Sequence, residues 1–359
     1  MRILFISAFP PCQKTAGQDY SRRLILDLLE KGHEVSLIYA EYPGHTVELP
    51  DSVKVLSIIH PAFKNCLVKP YFHPFFTRRF DKSVLKLLQT VSADFDMLYF
   101  DFSQVHLYSL LISHPCKVLM CHDVIAQKFS RKGRLQLPWI RRTEGRLLRT
   151  AGQIVTFSRK DSDFIKKTYG LDAVHVNFYL KNGRFDYSGK AVVKNRFCFY
   201  GAWNRAENTE ALEWFLSHVY PKLSCDAHFI VIGGGVSDAL LNKISTYKNF
   251  SCLGFVDDPV EEIACCQALI APLHKGAGVK VKVIDALSSG TCVIGTDIAF
   301  EGIEDNTAHG LFFFAESPKE FADILNNWQT VELSEKQAAA DEFFARYNSN
   351  HFTDLLSNA

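Results

Sequence analysis

Residues 272–287 read Pro-Leu-His-Lys-Gly-Ala-Gly-Val-Lys-Val-Lys-Val-Ile-Asp-Ala-Leu, so glycines, lysines and an aspartate crowd the start of a helical pattern. A strand ending at Pro272 and a glycine-containing loop that opens a helix make an anion site. Free backbone N–H groups and the positive helix end attract the charge, and glycines let a phosphate approach the chain. Lys280 and Lys282 add mobile positive charge beside it. Asp285 sits one turn into the helix, within reach of a hydroxyl-rich group next to that phosphate. The spacing fits equally well an exposed i,i+3 ion pair between Lys282 and Asp285, worth about 0.2–0.5 kcal/mol. Spacing alone leaves both readings open.

Other residues carry weaker signals. His122 follows the strand pattern Lys117–Cys121 and precedes Asp123, which puts it at a strand C-terminal end; the bland reading is a loop-capping His-Asp pair. His33, in Gly-His-Glu-Val, reads as structural. Gly233-x-Gly235 follows a strand, with Asp257 about twenty residues on, but position 238 is Asp and the dinucleotide fingerprint lacks its third glycine. Asp257-Asp258 could mimic an acidic metal pair. Residues 63–80 mix aromatic and basic side chains, suited to an acceptor groove or an anionic membrane surface, or simply to a packed loop with solvated arginines.

The elements that must position these residues come in two series. Apolar runs at 2–8, 33–39, 53–59, 97–102, 117–121 and 153–157 read as strands, with helical spacing at 20–29, 81–91 and 137–149. Residues 180–195 turn polar and read as a linker. Strand patterns resume at 196–200, 228–232, 251–255, 268–271, 292–295 and 311–314, with helices near 209–215 and 279–289 and a helix plus amphipathic tail at the end. Strands alternating with helices predict βαβ units and parallel sheets. Two doubly wound domains facing each other place a ligand cleft at their strand C-terminal ends.

Composition narrows the function classes. The chain has 359 residues, 47% of them hydrophobic and 22% charged, enough for two cores and too apolar for disorder. A net charge of +1 removes the electrostatic reason to expect a dedicated nucleic-acid binder. No apolar run is long enough to span a bilayer. The N-terminal run could pass for a weak signal peptide, but it reads better as a buried first strand. Ten scattered cysteines include no Cys-x-x-Cys pair, so neither a zinc ribbon nor a thioredoxin-type site is expected, and the usage suggests a cytosolic protein.

The 272–296 run is similar to the donor-site segment of GT-B-fold glycosyltransferases of family 4. Further stretches match in order: Phe199 to Asn208 continuing to Pro221, Phe229 to Gly235, Gly254 to Asp258, and Thr296 to Ile303. The match is good over about 197–328 and thinner in the first half, at Pro10–Gly17, Gly32–Val35, Cys121–Asp123 and Ala151–Ser158 with Asp161. Three departures stand out. Ala277 and Asp285 occupy the positions of the family's two glutamates, Cys292 replaces a proline, and Ala16-Gly17 reduces a glycine pair.

The resemblance implies an α/β GT-B fold. It assigns 1–185 to an acceptor-side Rossmann-like domain, 186–345 to a nucleotide-sugar donor domain, and 346–359 to a tail packing back on the first. It implies retaining transfer of a sugar from a nucleotide-diphosphate sugar to a saccharide or other hydroxyl acceptor. No cofactor or metal is expected, no nucleic-acid partner, and a cytoplasmic location with possible peripheral contact at the inner membrane face. His122, Asp123 and Lys282 are the expected catalytic residues. Gly17, Gly201, Arg205, Gly233, Lys275, Gly276, Ala277, Gly278, Val279, Lys280, Lys282 and Asp285 are expected to bind the donor. With no evident nucleophile, front-face departure and attack is the expected mechanism. A nucleotide-sugar 2-epimerase or hydrolase on the same fold, or a non-catalytic nucleotide-sugar binder, are the alternatives.

Overall fold

The computed structural model describes residues 1–130, 135–181, 183–188, 190–276, 278–303 and 310–357. The chain divides into two compact units, Met1–Tyr179 with Asn350–Ala359, and Leu180–Ser349.

The first unit is built on a seven-stranded parallel sheet. Its strands are β1 (Arg2–Ser7), β2 (Glu34–Ala40), β3 (Lys54–Ile59), β4 (Met97–Asp101), β5 (Lys117–Cys121), β6 (Gln153–Thr156) and β7 (Val174–His175), in the order 3-2-1-4-5-6-7. Burial explains the sequence pattern: Ile3 through Ile6 and Leu98 through Phe100 are wholly buried on alternating faces, so the strands read as continuous apolar runs. The strand order reverses between β1 and β4, whose register pairs Ser7 with Asp101 at their C-terminal ends. Such switch points are where open α/β sheets bind ligands.

Helix Ala16–Glu30 covers this sheet. Thr15 caps it by accepting from the Gln18 N–H, and Tyr20, Leu24, Ile25 and Leu28 are buried. The helix is followed by Gly32 at φ +79°, a left-handed stop that favours glycine. Helix Phe352–Ser357 belongs to this unit too. Its Phe352 meets Tyr99 edge-on at 4.9 Å, and Lys31 Nζ donates to the Thr353 hydroxyl at 2.6 Å.

The second unit carries a six-stranded parallel sheet of β8 (Arg196–Tyr200), β9 (His228–Ile232), β10 (Phe250–Gly254), β11 (Ala268–Ala271), β12 (Cys292–Gly295) and β13 (Phe312–Phe314), ordered 10-9-8-11-12-13. Here the order reverses between β8 and β11. The polar stretch read as a linker is part of this unit, because Phe185 and Tyr187 are buried against Val260, Ala264 and Ala340. Helix Leu333–Tyr347 packs so closely behind Gly290 that a Cβ there would lie 2.0 Å from the Lys336 carbonyl oxygen. Cys12, Cys121, Cys198, Cys266 and Cys292 are buried free thiols. Among the described residues, no helix is long and apolar enough to cross a membrane.

Candidate active site

Each sheet presents chemistry-bearing side chains at its own switch point. In the first unit the centre is Asp101, the last residue of β4 and fully buried. Its Oδ2 accepts from the hydroxyls of Ser7 (2.9 Å) and Ser21 (2.6 Å). Its Oδ1 lies 2.8 Å from His122 Nε2. An ionised carboxylate only accepts, so Nε2 carries the hydrogen and Nδ1 is left to act elsewhere.

The His122 ring is held from several sides. It stacks on Phe102 at a centroid distance of 3.5 Å and meets Phe157 edge-on at 5.0 Å. Phe102 has φ +67°, a left-handed conformation that is strained for an aromatic residue and tends to mark functional sites. Gly17 completes the enclosure: a Cβ there would approach the Phe102 ring to 3.0 Å and His122 Nδ1 to 3.1 Å. The glycine therefore keeps a side chain off the Nδ1 edge. Asp123 points to a different partner, accepting from Lys128 Nζ at 2.6 Å. The carboxylate that serves His122 is thus Asp101, from a different strand, and not its sequence neighbour.

In the second unit the loop after β11 leads into helix Val281–Ser288, which starts two residues later than its pattern indicates. Gly276 (φ +130°) and Gly278 (φ +70°) both adopt left-handed conformations, which explains why this loop needs glycine. Ala277 lies outside the described residues. Val279 and Lys280 are half-buried just ahead of the helix. Lys280 Nζ donates to the Gly278 carbonyl (2.5 Å) and lies 3.6 Å from Glu301.

Lys282 Nζ donates to Asn208 Oδ1 at 2.7 Å. Its helix neighbour Asp285 is buried and faces the Tyr200 phenol closely enough to help burial raise that group's pKa. Of the two readings that spacing leaves open, the exposed pair does not describe Lys282, which is partnered by Asn208 while Asp285 is buried. Its ammonium is pushed down to about 7, first by desolvation and then by Lys280, with Arg205 acting the same way and Glu207 opposing. The side chain keeps some exposed surface, so crowding by neighbouring atoms and like charges, rather than full enclosure, produces the shift. A cation in this condition gains from a nearby anion.

The loops after β8 and β9 brace that lysine. Asn208 Nδ2 donates to the Ala202 carbonyl at 2.8 Å, which aims its Oδ1 at Lys282. A Cβ on Gly201 would collide with Asn208 Nδ2 at 2.7 Å, and one on Gly233 (φ +117°) would lie 2.0 Å from the Gly201 oxygen. Gly233 is therefore required by backbone approach, and Gly201 leaves room for the Asn208 amide. Arg205 is exposed at the start of helix Ala206–Trp214, and Lys275 is exposed and paired with Glu210 at 2.6 Å. Sequence reasoning singled out neither Asp101 nor Asn208. Asn208 lay inside a quoted family segment; Asp101 ended a strand pattern with nothing to distinguish it. Among the described residues no group of three or more His, Cys, Asp or Glu side chains could hold a metal ion.

Comparison with known proteins follows the same division. A model described as "Glycosyltransferase Family 4" matches residues 18–177, and one described as "Glycosyl transferases group 1" matches residues 194–329. An "uncharacterized 44.6 kDa protein in cps region" of Klebsiella pneumoniae is 31% identical over 158 residues, spanning 40% of each sequence. The matched region thus spans well under half the length of that relative. Solved structures with the same fold include HepE of Anabaena in complex with UDP, at TM-score 0.66 and 13% identity over the whole of both chains. TarM of S. aureus, in a complex containing UDP and alpha-GlcNAc-glycerol, gives TM-score 0.72 at 12% identity, covering 99% of this chain and 98% of that one. WaaG, a glycosyltransferase involved in lipopolysaccharide biosynthesis, gives 0.66 at 14% identity over 99% and 98%.

Proposed function

From the premise that the chain belongs to glycosyltransferase family 4, we propose that it moves a sugar from a nucleoside-diphosphate sugar to a hydroxyl acceptor with retention of anomeric configuration. The observation that carries the reading is the Lys282 ammonium, desolvated, crowded by Lys280 and Arg205, and held at the start of a glycine-opened helix.

Breaking the glycosidic bond leaves an oxocarbenium-like sugar and a departing diphosphate. Positive groups already in place stabilise that charge without reorganising. Lys282, Lys280 and the first-turn N–H groups of Val281–Ser288 bind the diphosphate, and Asp285 accepts from the ribose hydroxyls. His122, its Nε2–H fixed on Asp101, offers Nδ1 to a substrate hydroxyl. Asp123, tied to Lys128, holds the turn that carries His122. The acceptor hydroxyl attacks from the face that the diphosphate leaves and gives its proton to the departing diphosphate oxygen, a route to retention without an enzymic nucleophile.

A thermal-shift screen of nucleoside diphosphates, followed by turnover of the matching sugar donors, tests this. The reading expects one nucleotide to stabilise the protein, by roughly 2.7 kcal/mol at a hundred times its dissociation constant, and its donor to lose sugar only to an acceptor. Free sugar and nucleotide formed without acceptor indicate a hydrolase or 2-epimerase. Binding with no turnover across the donor panel indicates a nucleotide-sugar-binding protein.

The exposed Phe63, Tyr71 and Trp139, beside exposed Lys64, Arg141 and Arg142, suit a peripheral contact with an anionic membrane face. Co-sedimentation with phosphatidylglycerol vesicles but not phosphatidylcholine ones is the expected result; equal pelleting with both removes it.

A further inference from the structure

Arg79 lies at the same end of the first unit's sheet as His122. Its Nε donates to the carbonyl of Ala8, the residue after β1, at 2.8 Å. Its guanidinium carbon sits 4.4 Å from the Phe9 ring centroid. Phe9 meets Phe102 edge-on at 5.0 Å, and Phe102 stacks on His122. Two phenyl rings therefore connect the arginine to the candidate catalytic imidazole.

The guanidinium is poorly compensated for its burial. It is half-buried, and desolvation pulls its pKa down to about 10, with Arg78 acting the same way; the Tyr42 phenol, the Ala8 carbonyl and the Phe9 ring face favour its charge, and none of them is an anionic partner. Among the described residues no carboxylate pairs with it, and of its five N–H donors one is spent on Ala8. Elsewhere the chain satisfies arginines directly: Arg23 is paired with Asp19 at 2.7 Å and Arg184 with Asp341 at 2.6 Å. Removing a cation from water without an anion costs free energy that a structural bond to one carbonyl recovers only in part. A planar fork with spare donors matches the two oxygens of a carboxylate or phosphate.

We propose that Arg79 binds an oxyanion, phosphate or carboxylate, carried by the acceptor, so that the accepting molecule is anionic close to its reacting hydroxyl. The proposal rests on the glycosyl-transfer reading above. It deepens that reading by naming the acceptor's chemical class.

The test uses the full chain and two probes, methyl phosphate and glucuronate, each titrated calorimetrically with and without saturating UDP. UDP keeps the probes off the diphosphate loop, and its own binding reports separately on the donor reading. One probe is expected to bind wild type at least tenfold more tightly than Arg79→Gln, with Arg79→Lys intermediate because it keeps the charge but not the fork. UDP affinity is expected to be equal in all three. Equal probe affinity in wild type and variants, or no binding of either probe to wild type, overturns the proposal. If Arg79→Gln fails to fold, the Arg79→Lys comparison decides: a loss of about threefold or more supports the anion site, and unchanged affinity leaves Arg79 as a brace for the Ala8 carbonyl. If UDP does not bind but the probes still distinguish the variants, the donor assignment fails and the Arg79 site stands. Which probe wins separates a phosphorylated acceptor from an acidic sugar.

Discussion

Asp101 Oδ1 and His122 Nε2 lie 2.8 Å apart, joining the C-terminal ends of β4 and β5 through a carboxylate whose other oxygen is held by Ser7 and Ser21. Fixing the Nε2–H tautomer in this way leaves Nδ1 for the proposed substrate contact. Asp101→Asn keeps the shape but can offer an N–H where Nε2 needs an acceptor, which disorders the tautomer. Turnover is expected to fall roughly 10²–10⁴-fold, the range for a displaced acid–base or hydrogen-bonding group, with UDP affinity unchanged. Steady-state kinetics beside calorimetry check this, and a variant with wild-type turnover removes Asp101 from the site.

Gly233→Ala places a methyl group 2.0 Å from the Gly201 oxygen at φ +117°. Movement of the Gly201 backbone to relieve the overlap disturbs Asn208, which packs against Gly201 and bonds the Ala202 carbonyl. Destabilisation of at least about 2–3 kcal/mol is expected, from steric overlap and the left-handed conformation together. Denaturant unfolding measures it, and a loss below 1 kcal/mol, roughly the cost of an ordinary helix substitution, contradicts the close approach.

The depressed Lys282 ammonium is expected to couple the proposed nucleotide binding to protons. In the empty site its pKa is about 7; a bound diphosphate favours the charged form and raises it. Below pH 7 the lysine is charged in both states and affinity is flat from this source. Above pH 7 binding must take up a proton, so affinity falls as pH rises toward the bound-state pKa. Between pH 7.5 and 9 the terminal phosphate is already ionised, since its own pKa is about 6. Calorimetry at pH 8 in buffers of different ionisation enthalpy is expected to show uptake approaching one proton, absent in Lys282→Met.

Asp285 is buried on the helix that carries Lys282, in place of the longer glutamate that the family resemblance leads one to expect. Asp285→Asn is expected to weaken a ribonucleoside diphosphate while barely changing its dideoxy analogue, because a carboxylate accepts from two neighbouring hydroxyls better than an amide does. Equal loss for both ligands contradicts the ribose contact.

The strands were legible in the sequence because parallel sheets bury both faces and so produce uninterrupted apolar runs: Lys117–Cys121, Arg196–Tyr200, His228–Ile232, Ala268–Ala271 and Cys292–Gly295 fall where the pattern puts them. Helix Arg159–Tyr169 leaves little trace in the sequence pattern although Ser158 caps its start and left-handed Gly170 its end. It is strongly polar, and only Asp161, Ile165 and Tyr169 are buried, so the apolar periodicity was faint. The site was half legible. Lysines beside glycines mark the proposed anion loop in local sequence. Asp101 could not be found that way, because its value comes from a register that sets Ser7 opposite it and from His122 on the neighbouring strand. Lys282's partner hid for the same reason: Asn208 reaches it from another element.

The central claim is that the helix start at Val281–Ser288 holds the donor's diphosphate through Lys282. Isothermal titration of UDP and the other nucleoside diphosphates into wild type and Lys282→Ala, at pH 7 and fixed salt, tests it most directly. The account predicts one-to-one binding of at least one nucleotide to wild type and a loss of about 1.5–3 kcal/mol in the variant, the size of a charge-assisted hydrogen bond, or roughly 10- to 150-fold in dissociation constant. Unchanged affinity in a folded Lys282→Ala protein, or no binding of any nucleoside diphosphate to wild type, contradicts it.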